Sequence, residues 1–478
     1  MPIDAPNILP ALIESLLVLP GFNATAFEEV HQSGRQVTSI RINPAKRSLG
    51  TNEECPVSFF EKSLQAPSNN ASQEEIATTA IPWSQYGFYL ASRPSFTFDP
   101  LLHAGAYYVQ EASSMFLEQA LKQTLDLSQP QLVLDLCAAP GGKSTHIQSL
   151  LSENSILVSN EVIRPRVNIL LENMTKWGAA NTVVTNNDPA DFGKLPAMFD
   201  AVIIDAPCSG SGLFRRDPEA INEWSEANVE MCSQRQQRII ADCWPCLKPG
   251  GILIYSTCSY SFEEDEAISD FISGTLGGLN EPVVIDPSWG ITETDSPVHQ
   301  NKGYRFYPYK TEGEGFFLAC FRKAEERAEM NHIKPVKYFP DKNIVAMARH
   351  WVNSDFDHKI YQHKEQLFAL PSQLMETFMF LQKNLNIRKA GIKLGDWAHN
   401  EIIPDHALAL STIYQPSLPT IDLTQSQAIA YLRKEIFEMD NVKKGWLMCT
   451  YEGLPLGWIK SLGNRFNNYY PKEWRIRS

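Results

Sequence analysis

Two cysteines carry the most specific chemical signal in the chain. Cys208 lies in DAPCSGSG and Cys258 in YSTCSY, and each follows an apolar run that reads as a strand. The C5 carbon of a pyrimidine is too weak a nucleophile to take an electrophile unaided. A thiolate added at C6 turns the ring into an enamine-like species whose C5 can attack a methyl donor. One sulfur would make that bond, and something must then remove the C5 proton so that the thiol can be eliminated. Asp205, ending FDAVIID, is placed to hydrogen-bond the ring N3 and exocyclic amine as charge moves onto N3, provided that it or the ring is protonated.

Those residues need a scaffold that brings distant segments to one edge. From about residue 130 the sequence supplies it: QLVLDL, SILVSNE, TVVTNND, FDAVIIDAP and GGILIYSTCS are apolar runs separated by helical stretches such as RPRVNILLENMTKWG. Apolar strands alternating with helices predict a parallel sheet covered on both faces, with its ligand beyond the carboxyl ends of the strands.

The first run leads into CAAPGGKST. Gly141 and Gly142 let the backbone approach a ligand before a helix whose N-terminal amides can face a polar group. Gly142, Lys143 and Ser144 also match the end of a phosphate-binding P-loop, but Cys137 occupies the position of its first glycine. Glu161 ends the second run, twenty residues after Gly141, where an acidic side chain accepts hydrogen bonds from ribose hydroxyls. Asp188, after the third run, is placed to reach an adenine edge and is equally an N-cap or turn former. Cys232, Cys320 and Cys449 read as buried small hydrophobes. Cys243 and Cys246 form CWPC without a second pair, so they read as packing, and no histidine spacing indicates a metal.

Together CAAPGGK, DAPCSGSG, YSTCS and RFYPYKTEGEGFF resemble the motifs of S-adenosylmethionine-dependent RNA 5-methylcytosine methyltransferases of the NOL1/NOP2/sun family. HAGAYYVQEASSM, with Gln110 and Ser113, resembles that family's lead-in segment, and the match spans roughly 100 to 323. The resemblance implies that Cys258 attacks cytosine C6 and that Cys208 assists release of the product. It implies that Cys137, Ala138, Ala139, Pro140, Gly141, Gly142 and Lys143, with Glu161, Asp188 and Asp205, contact S-adenosyl-L-methionine, Asp205 also touching the target base. The implied substrate is a cytosine of 16S ribosomal RNA within the small subunit, and the implied state is a monomer.

RNA contacts are expected at Arg41 and Lys46 in SIRINPAK, which resembles the family's N-terminal RNA-binding segment, and at Arg215 and Arg216 in GLFRRDP, where an ion pair with Asp217 is the plain alternative. In the tail, Lys460, Arg465, Lys472, Arg475 and Arg477 face one acid, Glu473, among Phe466, Tyr469, Tyr470 and Trp474. Cations for phosphates beside rings for stacking suit a nucleic-acid surface, and some of these rings are expected in the core of a small barrel. The expected fold is α/β: a small N-terminal RNA-binding domain (1–104), a Rossmann-like methyltransferase domain (105–325), a helical or mixed connection (326–385) and a β-rich PUA-like RNA-binding module (386–478). The polar stretch at 48–80 carries no chemistry, and RKAEERAEMNHIKPVK reads as a linker or surface helix.

At 478 residues, with 43% hydrophobic and 20% charged, the chain excludes a small module, wholesale disorder and coiled coil. Its net charge of −13 argues, taken globally, against a polyanion partner, whereas the tail is locally basic. Nine cysteines are sparse and odd in number, Asp4 and Glu14 spoil any secretory signal, and no run of 18 apolar residues occurs, so a cytoplasmic protein without a membrane partner is expected. Two further function classes remain open: a P-loop nucleotide hydrolase, and a non-catalytic RNA-binding assembly factor.

Overall fold

The computed structural model describes residues 8–47, 78–325, 341–439 and 443–477. Most of the 48–80 stretch and of the RKAEERAEMNHIKPVK segment lies outside them. Five parallel strands form the centre of a ten-stranded sheet: Leu132–Asp135, Ile156–Asn160, Thr182–Thr185, Phe199–Asp205 and Leu247–Thr257. Numbered along the chain as the first to fifth strands, they lie side by side as 3-2-1-4-5. This is the doubly wound order, with its switch point between the first and fourth strands. Phe316–Lys323 extends the sheet antiparallel to the fifth strand.

Strand residues alternate between two cores, which is why the runs read as nearly all apolar. Val133, Ala201, Ile203, Ile252 and Ile254 pack with Ile147, Leu170 and Met174 on one face. Leu134, Val202, Ile204, Leu253 and Tyr255 pack with Ile239, Ile240, Ile268 and Ile272 on the other. Each fully buried Val, Leu or Ile contributes about 1.5–3 kcal/mol, so these two layers fix the strand ends firmly. Cys243 and Cys246 belong to the second core, and Cys232, Cys320 and Cys449 are buried. Among the described residues no helix is long and apolar enough to cross a membrane.

Two of the expected domain boundaries are crossed by sheets. Tyr107–Val109 pairs with Thr38–Ile42, so the N-terminal antiparallel sheet runs past residue 104. The region expected to be helical or mixed before 386 contains a hairpin, His358–His363 with Gln366–Pro371, whose second strand pairs with Ile392–Ala398. One sheet therefore bridges the expected 385/386 boundary. Beyond it, Ile387–Ala390 pairs with the third strand of the central sheet, and a four-stranded sheet follows from Thr420–Asp422 to Phe466–Asn468. Ile40, Leu101 and Tyr107 share a core with Tyr431, Leu456 and Tyr470, which packs the N-terminal sheet on the C-terminal module. The helices Pro10–Leu16 and Ala24–Gln32 lay Leu12, Leu16 and Phe27 against Phe214, Tyr260 and Tyr307, beside the cysteine loops.

Candidate active site

The loop after the first strand crosses the switch point. Leu136 N–H donates to Ile203 and Ala138 N–H to Asn160, tying the loop to strands on both sides. Arg166 donates to the Ala139 carbonyl (2.7 Å) and Asn173 to that of Pro140 (2.8 Å), so the helix Arg164–Trp177 clamps the loop. Gly141 then takes φ +115° and would bring a Cβ within 3.3 Å of Leu170 and Asn173. That conformation admits glycine and little else, and it starts the helix Gly142–Leu150.

Glu161, 2% exposed, ends the second strand. Its Oε1 accepts from Ile163 N–H at 2.8 Å, while Oε2 has Arg166 at 3.4 Å and no hydrogen-bond partner. Asp135 Oδ1, at the end of the first strand, is likewise buried and unpartnered. Two carboxylate oxygens left unsatisfied at neighbouring strand ends suit a ligand that brings hydroxyl or amine donors, as an adenosine-bearing cofactor does. Asp188 caps the short helix Pro189–Gly193, accepting from Ala190 N–H at 3.0 Å, and is otherwise exposed at the end of the third strand.

The fourth and fifth strands bring the two thiols together, with Cys208 Sγ 3.0 Å from Cys258 Sγ. The loops bearing them approach closely. Gly212 N–H donates to Cys258 O (2.9 Å), and a Cβ at Gly212 would meet Gly315 O at 2.6 Å and Cys258 O at 2.7 Å, so only glycine fits. Beneath the sulfurs, buried Glu264 accepts from Ser209 N–H (2.8 Å), Ser209 Oγ (2.5 Å), Ser259 Oγ (2.6 Å) and Gln236 Nε2 (3.1 Å). It thereby ties the residue after each cysteine to one anchor. Thr257 Oγ1 donates to Asp265 Oδ1 (2.6 Å), and Arg305 ion-pairs with Asp265 and Glu266 behind it. Sequence reasoning missed this acidic anchor, whose only local signal is EEDE following STCSYSF.

Lys143 connects the glycine loop to the thiols. Its ammonium lies 2.8 Å from Asp205 Oδ1, which also accepts from Ser256 Oγ at 3.0 Å, and 5.1 Å from the Phe316 ring centroid. Burial opposes that charge, but Asp205 and, less strongly, Cys258 outweigh it and hold the lysine charged. The hydrogen bond with Cys258, together with burial, pushes the Cys208 thiol well above its ordinary range. The raised value favours a protonated Cys208 thiol. The P-loop alternative needs Ser144 and Lys143 presented to a phosphate and its cation; instead Ser144 Oγ is buried and donates to Asp135 at 2.6 Å.

Burial pushes the Asp135 carboxyl up to about 7 against the pull of Ser144, with Asp205 adding to the rise. Because the unfolded value is about 3.9, the protonated carboxyl stabilises the fold fully at low pH, and that contribution is lost as pH rises through about 7. Asp135→Asn is therefore expected to gain stability over the parent as pH rises from about 4 to 8, by at most about 4 kcal/mol. Urea midpoints of both proteins across that range check it, and a difference that does not change with pH contradicts it.

Three residues expected at the RNA surface are structural instead. Arg41 is 1% exposed, donates to Gln110 (2.8 Å) and Thr145 (2.6 Å), and lies 4.5 Å over Trp177. It clamps the N-terminal sheet to the helix after the cofactor loop. Lys46 is buried with its ammonium on the carbonyls of Ala104 and Lys176. Arg215 is buried and donates to Gly313 and Arg35 carbonyls, and Ser113 donates to Glu314 O from the opposite side. Buried and held on oxygens of the protein itself, these cations have no reach to a phosphate. Arg216, Arg465, Lys472 and Arg475 are exposed, and among the described residues no ion pair joins Arg216 to Asp217. Lys460 pairs with Glu401 (2.9 Å) over the Trp446 ring. Of the tail rings, Tyr470 is buried and Tyr469 is 37% exposed.

A doubly wound sheet with a glycine-turned loop at its switch point and two thiols at adjacent strand ends defines a Rossmann-like methyltransferase with a paired-cysteine centre. Known proteins agree. Family models match for 16S rRNA methyltransferase RsmB/F over 122–322, the N-terminal domain of 16S rRNA methyltransferase RsmF over 10–112, and the methyltransferase RsmF PUA domain over 418–476. Ribosomal RNA small subunit methyltransferase F of Erwinia tasmaniensis is 30% identical over 97% of this chain and 96% of its own. That of Aliivibrio salmonicida is 29% identical over 93% and 94%. The chain belongs to the ribosomal RNA small subunit methyltransferase F family. Among solved structures, a methyltransferase homologue protein from Pyrococcus horikoshii is 26% identical, covering 66% of this chain and 100% of that one with a TM-score of 0.50.

Proposed function

We propose that this chain methylates C5 of a cytosine in 16S ribosomal RNA, using S-adenosylmethionine and a covalent bond from Cys258 to C6. The observation that carries the reading is the pair of thiols 3.0 Å apart beside the Lys143–Asp205 ion pair. The loop Cys137–Lys143, Glu161 and Asp188 would hold the cofactor, matching the unsatisfied oxygen on Glu161.

The Cys258 sulfur adds to C6, and the displaced electron pair moves through the ring onto N3. The Lys143 ammonium, held by Asp205, balances the negative charge developing on N3, while the Asp205 carboxylate accepts from the exocyclic amine. S-adenosylmethionine supplies, when bound, the electrophilic methyl group that takes the C5 electron pair. The C5 proton is then lost to a base, the C5–C6 double bond re-forms and Cys258 leaves as a thiolate. Cys208, which keeps its proton, donates to that sulfur and eases its departure. Glu264 holds both cysteine loops in the register this exchange needs. Arg216 and the exposed tail cations Arg465, Lys472 and Arg475 provide phosphate contacts for the substrate, on which the chain acts as a monomer.

Incubation of the protein with 16S rRNA and methyl-labelled S-adenosylmethionine, followed by digestion to nucleosides, is expected to place the label in 5-methylcytidine. Label found only in a ribose or an exocyclic amine overturns the reading.

A further inference from the structure

A cavity of about 560 Å³ lies where the helix Arg164–Trp177, the bridging sheet and the C-terminal tail meet. That volume is in the range of small-ligand sites. Arg388, Lys389, Tyr469, Trp474 and His406 line it. Lys389 spends its ammonium on Thr182 Oγ1 and Gly391 O, and Lys393 pairs with Asp396 and Asp405. Arg388 is exposed and, among the described residues, makes no ion pair. Tyr469 stands edge-on to Trp446 at 4.5 Å, and Trp474 is half-buried.

His406 forms part of the cavity wall. It is 8% exposed, wedged edge-on between Tyr470 and Trp474, and neither ring nitrogen has a hydrogen-bond partner. Burial, reinforced by nearby Lys176 and Lys46, keeps the ring neutral, its pKa lowered to about 3.

Position links the cavity to the chemistry. Ile387 pairs with Thr185 at the carboxyl end of the third strand, and Asn386 bonds to Asn186 and Asn187 just beyond it. Arg388 therefore stands at the edge of the sheet that carries Asp188, Asp205 and the thiols, while exposed Lys472 and Arg475 flank Trp474 along the chain.

We propose that this cavity binds one unpaired nucleotide of the substrate RNA, with the base against Tyr469 and Trp474 near His406 and its phosphate on Arg388. This rests on the RNA substrate proposed above. It gives the enzyme a second hold on the strand, outside the catalytic cleft, and so selects RNA whose single-stranded flank reaches that far.

The test uses the full chain and a fluorescent 5′-phosphorylated single-stranded RNA hexanucleotide. Arg388→Ala and Tyr469→Ala are each expected to weaken its binding about tenfold, as loss of one phosphate contact or one base stack does. The KM for 16S rRNA should rise similarly, with kcat and S-adenosylmethionine affinity unchanged. Unchanged KM and hexanucleotide binding in both variants overturns the cavity assignment while leaving methylation intact; failure of the parent to methylate rRNA sinks the underlying reading instead. Adenosine monophosphate is expected to compete only at millimolar concentration. Micromolar competition that Tyr469→Ala abolishes would reassign the cavity to a free nucleotide and contradict the proposal.

Discussion

Cys258→Ala is expected to lower methyl transfer by at least about 10⁴-fold, because without a sulfur at C6 the cytosine C5 never becomes nucleophilic. Binding of S-adenosylmethionine should stay within about twofold, since the loop that carries Gly141 is held by Arg166 and Asn173 rather than by the thiols. The two measurements separate chemistry from folding. A buried thiol that merely packed would cost stability and cofactor binding together, and activity only in proportion. Robust turnover by Cys258→Ala removes the covalent mechanism.

Cys208→Ala is expected to fail at the opposite end of the reaction. Its sulfur lies 3.0 Å from the Cys258 sulfur, and that contact with burial raises the thiol well above its ordinary range. Removing it leaves the departing thiolate without a donor, so addition and methylation proceed while elimination stalls. A protein–RNA adduct stable to denaturing electrophoresis should accumulate, approaching one RNA per enzyme, and multiple turnover should fall by about 10²-fold or more. The double replacement of Cys208 and Cys258 should form no adduct. Adduct from Cys258→Ala and none from Cys208→Ala would exchange the two roles.

The parallel sheet was legible because strands buried on both faces must be apolar throughout, and the residues at their ends stand out against that background. Gly141, Glu161, Asp205, Cys208 and Cys258 were picked out in this way, and the structure places them at strand ends or the loops that follow them. Arg41, Lys46 and Arg215 were misread for a physical reason. Nothing near a basic residue tells whether its donors reach a phosphate or a backbone carbonyl supplied from elsewhere, and Lys46 finds one 130 residues away. Glu264 was missed likewise, since its partners Ser209 and Gln236 come from separate segments. The hairpin of His358–His363 and Gln366–Pro371 turns through Lys364, a lysine at φ +56°, where the usual hairpin signal is Asn-Gly or Asp-Gly. Net charge misled as well: −13 overall describes the averaged field, whereas Arg465, Lys472 and Arg475 are exposed within a short stretch of the tail.

Bisulfite sequencing of 16S rRNA tests the cytosine assignment most directly, in cells that carry the parent gene, lack it, or carry Cys258→Ala. The expected result is one cytosine protected from conversion with the parent and converted in the other two. A pattern that is identical in all three, or protection that persists with Cys258→Ala, would contradict it.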